Sequence, residues 1–292
     1  MSDLFRLFVC LFACGGHWCY QSQKYKQPSC EGTVEQWYLI NNTCKESKQS
    51  PINIVTKNVI YDDSLKPLNF EGYDVQGSSK WNIENNGHTG TAEHPALGKA
   101  CGGLKRKYKA IELHFHWGVQ DIHYLPGSEH SIDGEKTAME LLGNACFGIN
   151  IFPFQVGDEN KKYAPLINEL DNIKYKGKTF RLLKKQRIYI LSTYATRYYR
   201  YIGSLTTPDC HEGVIWTVFE KPVALSLAQV SQFSMVYFGG KNSTTHMVEN
   251  FRPVQPLNDR SIYWSGASLP QPSARVLMLL SVLTYILSSL LQ

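Results

Sequence analysis

The chain has 292 residues, 43% hydrophobic and 19% charged, which is enough apolar material for one sizeable core without a split into two. Its formal charge of +5 is mild, and apart from Lys105-Arg106-Lys107 and Lys184-Lys185 the basic residues are scattered. No stripe suited to a phosphate backbone is present, so no nucleic-acid partner is expected.

At the start, Arg6 precedes an apolar stretch at 7–13 and the small residues Gly15 and Gly16, the layout of a secretory signal peptide over residues 1–16. A buried strand is the alternative reading of that run. Cysteine usage agrees with export: Cys10 and Cys14 would leave with the signal. Cys19, Cys30, Cys44, Cys101, Cys146 and Cys210 then remain as an even set suited to bridges, which spacing alone allows to pair in about 15 ways. The sequons Asn41-Asn42-Thr43 and Asn242-Ser243-Thr244 would carry glycans on exposed loops of a secretory protein.

Between the termini, short runs rich in Tyr, Ile, Val, Phe and Trp are punctuated by Gly, Pro and Asn. They predict strands at 110–117, 180–183, 186–191 and 214–219. Helical rhythm is confined to 166–172 and to 226–237, where Leu227, Val230, Phe233 and Val236 recur every three residues. The expectation is a β-dominated α+β domain over 17–265, built on a large sheet.

At the other end, Arg275 is followed by an almost wholly apolar segment at 276–291. That segment is shorter than the ~20 residues a bilayer span prefers, and no basic cluster follows it. Ser265-Gly266-Ala267 and a spacer of Pro, Gln and Ser precede it. This is the layout of a GPI-attachment signal, with the anchor at or near Ser265 and a removed propeptide at 266–292. A tail-anchored helix is the alternative.

Chemistry concentrates in Leu113-His114-Phe115-His116-Trp117-Gly118. Two imidazoles two apart on a strand project from one face, side by side, as a zinc site needs. On spacing alone, a pair of satisfied core or surface histidines is the readier reading. Gly127-Ser128-Glu129-His130 follows at hairpin distance, and Gly203-Ser204-Leu205-Thr206-Thr207-Pro208 comes later.

With these segments, Ser50-Pro51-Ile52-Asn53-Ile54, Asn85-Asn86-Gly87-His88, residues 214–219 and Asn250-Phe251-Arg252-Pro253, the chain resembles the α-class carbonic anhydrases over most of 17–265. The terminal signals and cysteines point to the GPI-anchored, type IV-like branch. The resemblance implies that family's fold, a mainly antiparallel, twisted central sheet with short peripheral helices, and its reaction, reversible hydration of CO2 to bicarbonate. It also implies a Zn²⁺ ion, held in the family by three imidazoles with water in the fourth position, for which His114 and His116 would be two ligands.

By the same resemblance Glu129 accepts the hydroxyl hydrogen of Thr206, and Thr206 and Thr207 contact substrate or product oxygen. His88 stands where the family has its proton shuttle, and an imidazole suits that task near neutral pH. In isolation His88 reads as a solvated residue of an Asn-Gly turn. Glu112 replaces the usual Gln beside the first ligand, and the Asn250 carbonyl would serve His116. His130 and Tyr201 match a buried polar network around Glu129 and Glu140. The implied bridges are Cys19 with Cys30 and Cys44 with Cys210. Cys101 and Cys146 have no counterparts.

The chain departs from the family after Met139-Glu140-Leu141: Leu142 takes the third ligand's place, the stretch to Gln155 is shortened, and Pro153 is expected to interrupt a strand. A second irregular stretch at 89–103 contains His94 and Cys101, and Cys101 could pair with Cys146. Cys146 or, less readily, His123 could complete a zinc site. With two protein ligands zinc should be lost or held weakly. The rival reading is a catalytically silent, extracellular binding module on the same fold. A third is an aberrant chain that folds poorly.

Overall fold

The protein is described by a computed structural model covering residues 18–24, 30, 32–71, 81–93, 99–101, 108–119, 126–145, 148–182 and 196–266. Its strands up to the first long one are β1 (Asn53–Ile54), β2 (Ile60–Tyr61), β3 (Asn69–Glu71), β4 (Asn82–Asn85), β5 (Gly90–Glu93), β6 (Lys99–Cys101) and β7 (Tyr108–Trp117). A hairpin of β8 (Ser131–Ile132) and β9 (Glu135–Lys136) leads into β10 (Met139–Ala145) and β11 (Gly148–Val156). The rest are β12 (Thr179–Arg181), β13 (Tyr198–Ser204), β14 (Glu212–Phe219), β15 (Val223–Leu225) and β16 (Tyr263–Trp264). Helices are few and short: α1 (Trp37–Ile40), α2 (Ala164–Ile167), α3 (Leu227–Phe233) and some 3₁₀ turns.

One sheet of 13 strands dominates, with the main path β12-β4-β5-β7-β10-β11-β14-β13-β16-β2. It is mixed: most neighbours are antiparallel, but β11 runs parallel to β14 and to β15, and β16 runs parallel to β2. The expected β-dominated class stands, with this qualification on strand direction.

Alternation explains why the central strands sit as they do. In β7, Leu113, Phe115 and Trp117 enter the larger apolar cluster, and the intervening Glu112, His114 and His116 take the opposite face. β10 divides likewise: Met139 and Leu141 join the larger cluster, while Leu142 joins a second one with Ile149, Ile151, Val214, Trp216 and Val218. A slip of one residue in either strand would exchange the two sets, so burial fixes the register.

Turn chemistry agrees with the pairing. Asp133 (φ 51°) and Gly134 (φ 88°) form the two-residue loop between β8 and β9, both in the left-handed region that a type I′ hairpin requires. α3 begins at a capping box, with the Ser226 hydroxyl accepting from Gln229 N and the Gln229 side chain accepting from Ser226 N.

Four expectations change. Pro153 does not interrupt β11, which continues to Val156. It falls in the gap where the parallel partner of β11 changes from β14, last paired at Ile151, to β15, first paired at Phe154. Residues 89–103 are not wholly irregular, because they contain β5 and β6. The helix expected at 166–172 is two elements, α2 and a 3₁₀ turn at Leu170–Ile173, since the buried Ile167, Leu170 and Ile173 recur at the spacing of three that a 3₁₀ turn aligns. The helix expected over 226–237 stops at Phe233, where i→i−3 bonds such as Ser234 N to Ser231 O tighten its end.

The expected strands at 110–117, 180–183 and 214–219 fall on β7, β12 and β14. That at 186–191, together with residues 1–16, His94, His123, Cys146, the side chain of Cys101 and residues 267–292, lies outside the described residues.

Candidate active site

His114 and His116 project from one face of β7 with ring centres 5.1 Å apart, as the i, i+2 spacing predicts. Both are buried. His116 is held by the Asn250 backbone carbonyl, 2.6 Å from its Nδ1, which leaves Nε2 free to face the site. Burial lowers the His116 pKa, against an opposing pull from Glu129, and so favours the neutral ring. His114 has Glu112 for a neighbour, with a carboxylate oxygen 3.4 Å from its Nδ1.

Across the β7–β10 ladder, Leu142 stands directly opposite His114, and Glu140 opposite His116. Opposed residues share a face, so Leu142, a buried aliphatic side chain, lies on the face that carries the histidine pair. Among the described residues no three His, Cys, Asp or Glu side chains are grouped closely enough to hold a metal ion. The three-imidazole set expected of a zinc centre is therefore not met by the described residues.

Glu129 is fully buried beneath the pair. Its loop is anchored where Gly127 N and Ser128 N both donate to the Thr137 carbonyl, and a Cβ on Gly127 would lie 2.1 Å from the Ala138 carbonyl oxygen. Only glycine allows that approach. Glu129 Oε1 accepts the Arg252 N–H at 2.9 Å, whereas Oε2 makes no hydrogen bond and lies 3.5 Å from His116 Nε2, itself without a hydrogen-bond partner. The Thr206-to-Glu129 hydrogen bond implied by the resemblance is thus not formed in this structure.

Thr206 and Thr207 lie on the loop between β13 and β14. The loop is pinned by Leu205 N to His211 O and Cys210 N to Thr207 O, by left-handed Asp209 and Cys210, and by the Cys44–Cys210 disulfide. Thr206 is buried and Thr207 half-buried. Cys19 and Cys30 form the second bridge, so both implied pairings are present.

His88 occupies the turn before β5, where Asn86 Oδ1 accepts from both His88 N and Thr89 N. Its ring stacks on Trp18 at 3.8 Å between centres. One residue links this turn to the histidine pair: Asn250 donates from Nδ2 to the His88 and Phe115 carbonyls while its own carbonyl serves His116.

His130 and Tyr201 are structural, as expected: Glu140 accepts from His130 N and contacts its Nδ1 at 2.9 Å, and His130 Nε2 lies 2.6 Å from the Tyr201 hydroxyl, which meets Ser50 Oγ. Two participants carried no signal of their own in the sequence. Trp18 reaches His88 only through the fold, and Arg252, although part of the 250–253 match, acts on Glu129 through its backbone N–H, which any residue but proline provides.

Residues 32–142 and 145–266 match the family described as eukaryotic-type carbonic anhydrase. Among curated relatives, carbonic anhydrase 4 of Mus musculus is 37% identical, covering 94% of this chain and 93% of its own length. Carbonic anhydrase 4 of Oryctolagus cuniculus is 35% identical over 90% of this chain and 89% of its own, and carbonic anhydrase 12 of Homo sapiens 31% over 95% and 81%. The family match breaks only at 143–144, immediately after Leu142.

Proposed function

The chain belongs to the eukaryotic-type carbonic anhydrase family, and from that premise we propose that it is a variant of the family's enzyme, acting on CO2 and bicarbonate at the extracellular membrane surface with a depleted zinc site. The observation that carries this reading is the register that sets Leu142 against His114. Zinc bound by imidazoles supplies hydroxide near neutral pH. His114 and His116 would be the protein's nitrogen donors. Leucine offers no lone pair, so affinity and turnover both fall severely.

The remaining residues keep the roles the family suggests. Thr206 and Thr207 would orient CO2 and release bicarbonate, with Glu129 as the acceptor for the Thr206 hydroxyl once that side chain turns toward it. His88 would exchange the product proton with solvent from its turn. Residues 1–16 would direct export, 17–265 form the catalytic domain, and 266–292 be exchanged for a GPI anchor near Ser265. Ser265 donates from N to Tyr198 O and is, among the described residues, the last tied to β13. Asn41 and Asn242 would carry glycans.

Zinc content of the purified protein with CO2 hydration assays tests the reading: substoichiometric zinc and very slow turnover are expected, and full zinc with fast, sulfonamide-sensitive turnover would overturn it. The second reading, a silent extracellular binding module, is favoured by the apolar packing of Leu142; folded, metal-free protein with no turnover at added zinc would establish it.

A further inference from the structure

No Asp or Glu occurs between Asp171 and Asp209, and Lys174, Lys176, Lys178 and Arg181 fall at the start of that stretch. Neutral residues separate these charges in the sequence, but the fold draws them along one border of the molecule. β12 is the first strand of the main path and, among the described residues, pairs only with β4, while residues 174–178 form the turn that leads into it. The result is a sheet edge with a row of cations.

The turn is tied down from both sides. Lys176 N donates to Gly239 O and Gly177 N to Asn85 O, while the Lys174 and Lys178 carbonyls accept from Tyr237 N and Asn85 N. Tyr175 stacks on Tyr237 with centres 5.1 Å apart, and Tyr237 stacks on His246 at 4.3 Å. Lys174 lies over the Tyr237 ring and 3.6 Å from Asp171. Lys176, Lys178 and Arg181 are exposed, and among the described residues none of them pairs with a carboxylate; Arg181 donates to Asn82 Oδ1 instead. Like charges fixed on a rigid backbone raise the local potential and attract an anion, at a reduced cost of ordering.

The surroundings narrow the choice of anion. Inward of the edge, Glu84 stands opposite Thr179 and Glu93 opposite Asn82, so the positive potential is confined to the rim and a bound polyanion must run along it. The two disulfides belong to an oxidising compartment, which favours a polyanion of the cell exterior over a nucleic acid. Ser265 is tied to β13, seven strands along the path from β12, or roughly 30 Å at about 4.8 Å per strand. That separation sets the edge away from a membrane anchored at Ser265.

We propose that the β12 edge and the turn before it bind a linear sulfated polysaccharide, with Lys176, Lys178 and Arg181 as the cations that meet its sulfate groups and Lys174 and Lys241 at the margin. Basic clusters of this kind suit sulfated chains such as heparin. The surface is separate from the histidine pair and does not depend on zinc.

Calorimetric titration of the secreted chain with a heparin oligosaccharide, repeated at rising salt, tests this. Binding at low salt that weakens steadily as salt displaces the cation contacts is expected. Combining Lys176→Gln, Lys178→Gln and Arg181→Gln should weaken it at least about tenfold, whereas neutralising Lys105, Arg106 and Lys107 together should change it less than about twofold. No binding by the native chain, unchanged affinity in the edge variant, or an equal loss in the control would overturn the proposal. If the triple variant does not fold, Lys178→Glu alone, at an exposed side chain, takes its place. Single-stranded RNA or phosphatidylserine vesicles bound as tightly as heparin would also overturn it, because charge alone would then be the whole signal. Asn242 adjoins Lys241, so the titration is repeated after N-glycan removal: retained binding supports the protein edge as the site, and lost binding counts against it.

Discussion

Leu142 lies directly across the β7–β10 ladder from His114, both buried and both on the face that carries His116. That pairing places an aliphatic side chain beside the two histidines and joins it to Ile149, Ile151 and Trp216. Replacing Leu142 with alanine should therefore destabilise the fold by about 2–5 kcal/mol without restoring metal binding, as read from denaturant melts and zinc titration. A neutral effect on stability would show that Leu142 is not packed as described.

The Cys44–Cys210 bridge closes a separation of 166 residues and pins the loop of Thr206 and Thr207. In the chain-entropy model its removal by Cys44→Ser with Cys210→Ser costs about 5 kcal/mol. Melting of the double variant measures this, and hydrogen exchange should rise at residues 205–211 beyond the global loss. A uniform change would argue against local pinning.

Glu140 is buried, which by itself raises its pKa, but the charge and hydrogen bonds of His130 outweigh burial and the carboxyl ends below its ordinary value. A depressed carboxyl pKa contributes stability that is present above the unfolded value, near 4.3, and lost as pH falls through the folded one. Acid unfolding should therefore steepen below about pH 4.3, and Glu140→Gln should flatten that limb. An unchanged slope would contradict the pair. His116 acts in the same direction higher up: burial depresses its pKa, so its contribution is present above about 6.5 and declines as pH falls below it.

Asn250 is fully buried and spends its side chain on the His88 and Phe115 carbonyls and the Trp117 N–H. Asn250→Ala should cost about 2–4 kcal/mol by leaving those groups unpaired. It should also shift the His88 and His116 imidazole resonances together in NMR. Movement of only one would deny the link between turn and strand.

Much of this was legible in the sequence because period-two alternation in 113–117 fixes which residues share a face, and Gly, Asp and Pro mark the turns. The histidine pair, Glu129 and the Thr206 loop could be placed through motif resemblance, and the structure brings Glu129 to within 3.5 Å of His116. The Trp18 stack and the backbone bond from Arg252 were illegible, since both arise from contacts between segments far apart in the chain. Pro153 misled because its effect depends on which neighbour needs its missing N–H, and β11 changes partner there. The idle Oε2 of Glu129 likewise has no sequence signature.

The most direct test of a depleted zinc site is the CO2 hydration rate of the native chain against Leu142→His, both saturated with zinc and confirmed to be folded. A rise of at least about 10²-fold on adding the imidazole, roughly 2.7 kcal/mol of transition-state stabilisation, is the predicted result. Equal and rapid turnover in the two chains would contradict it.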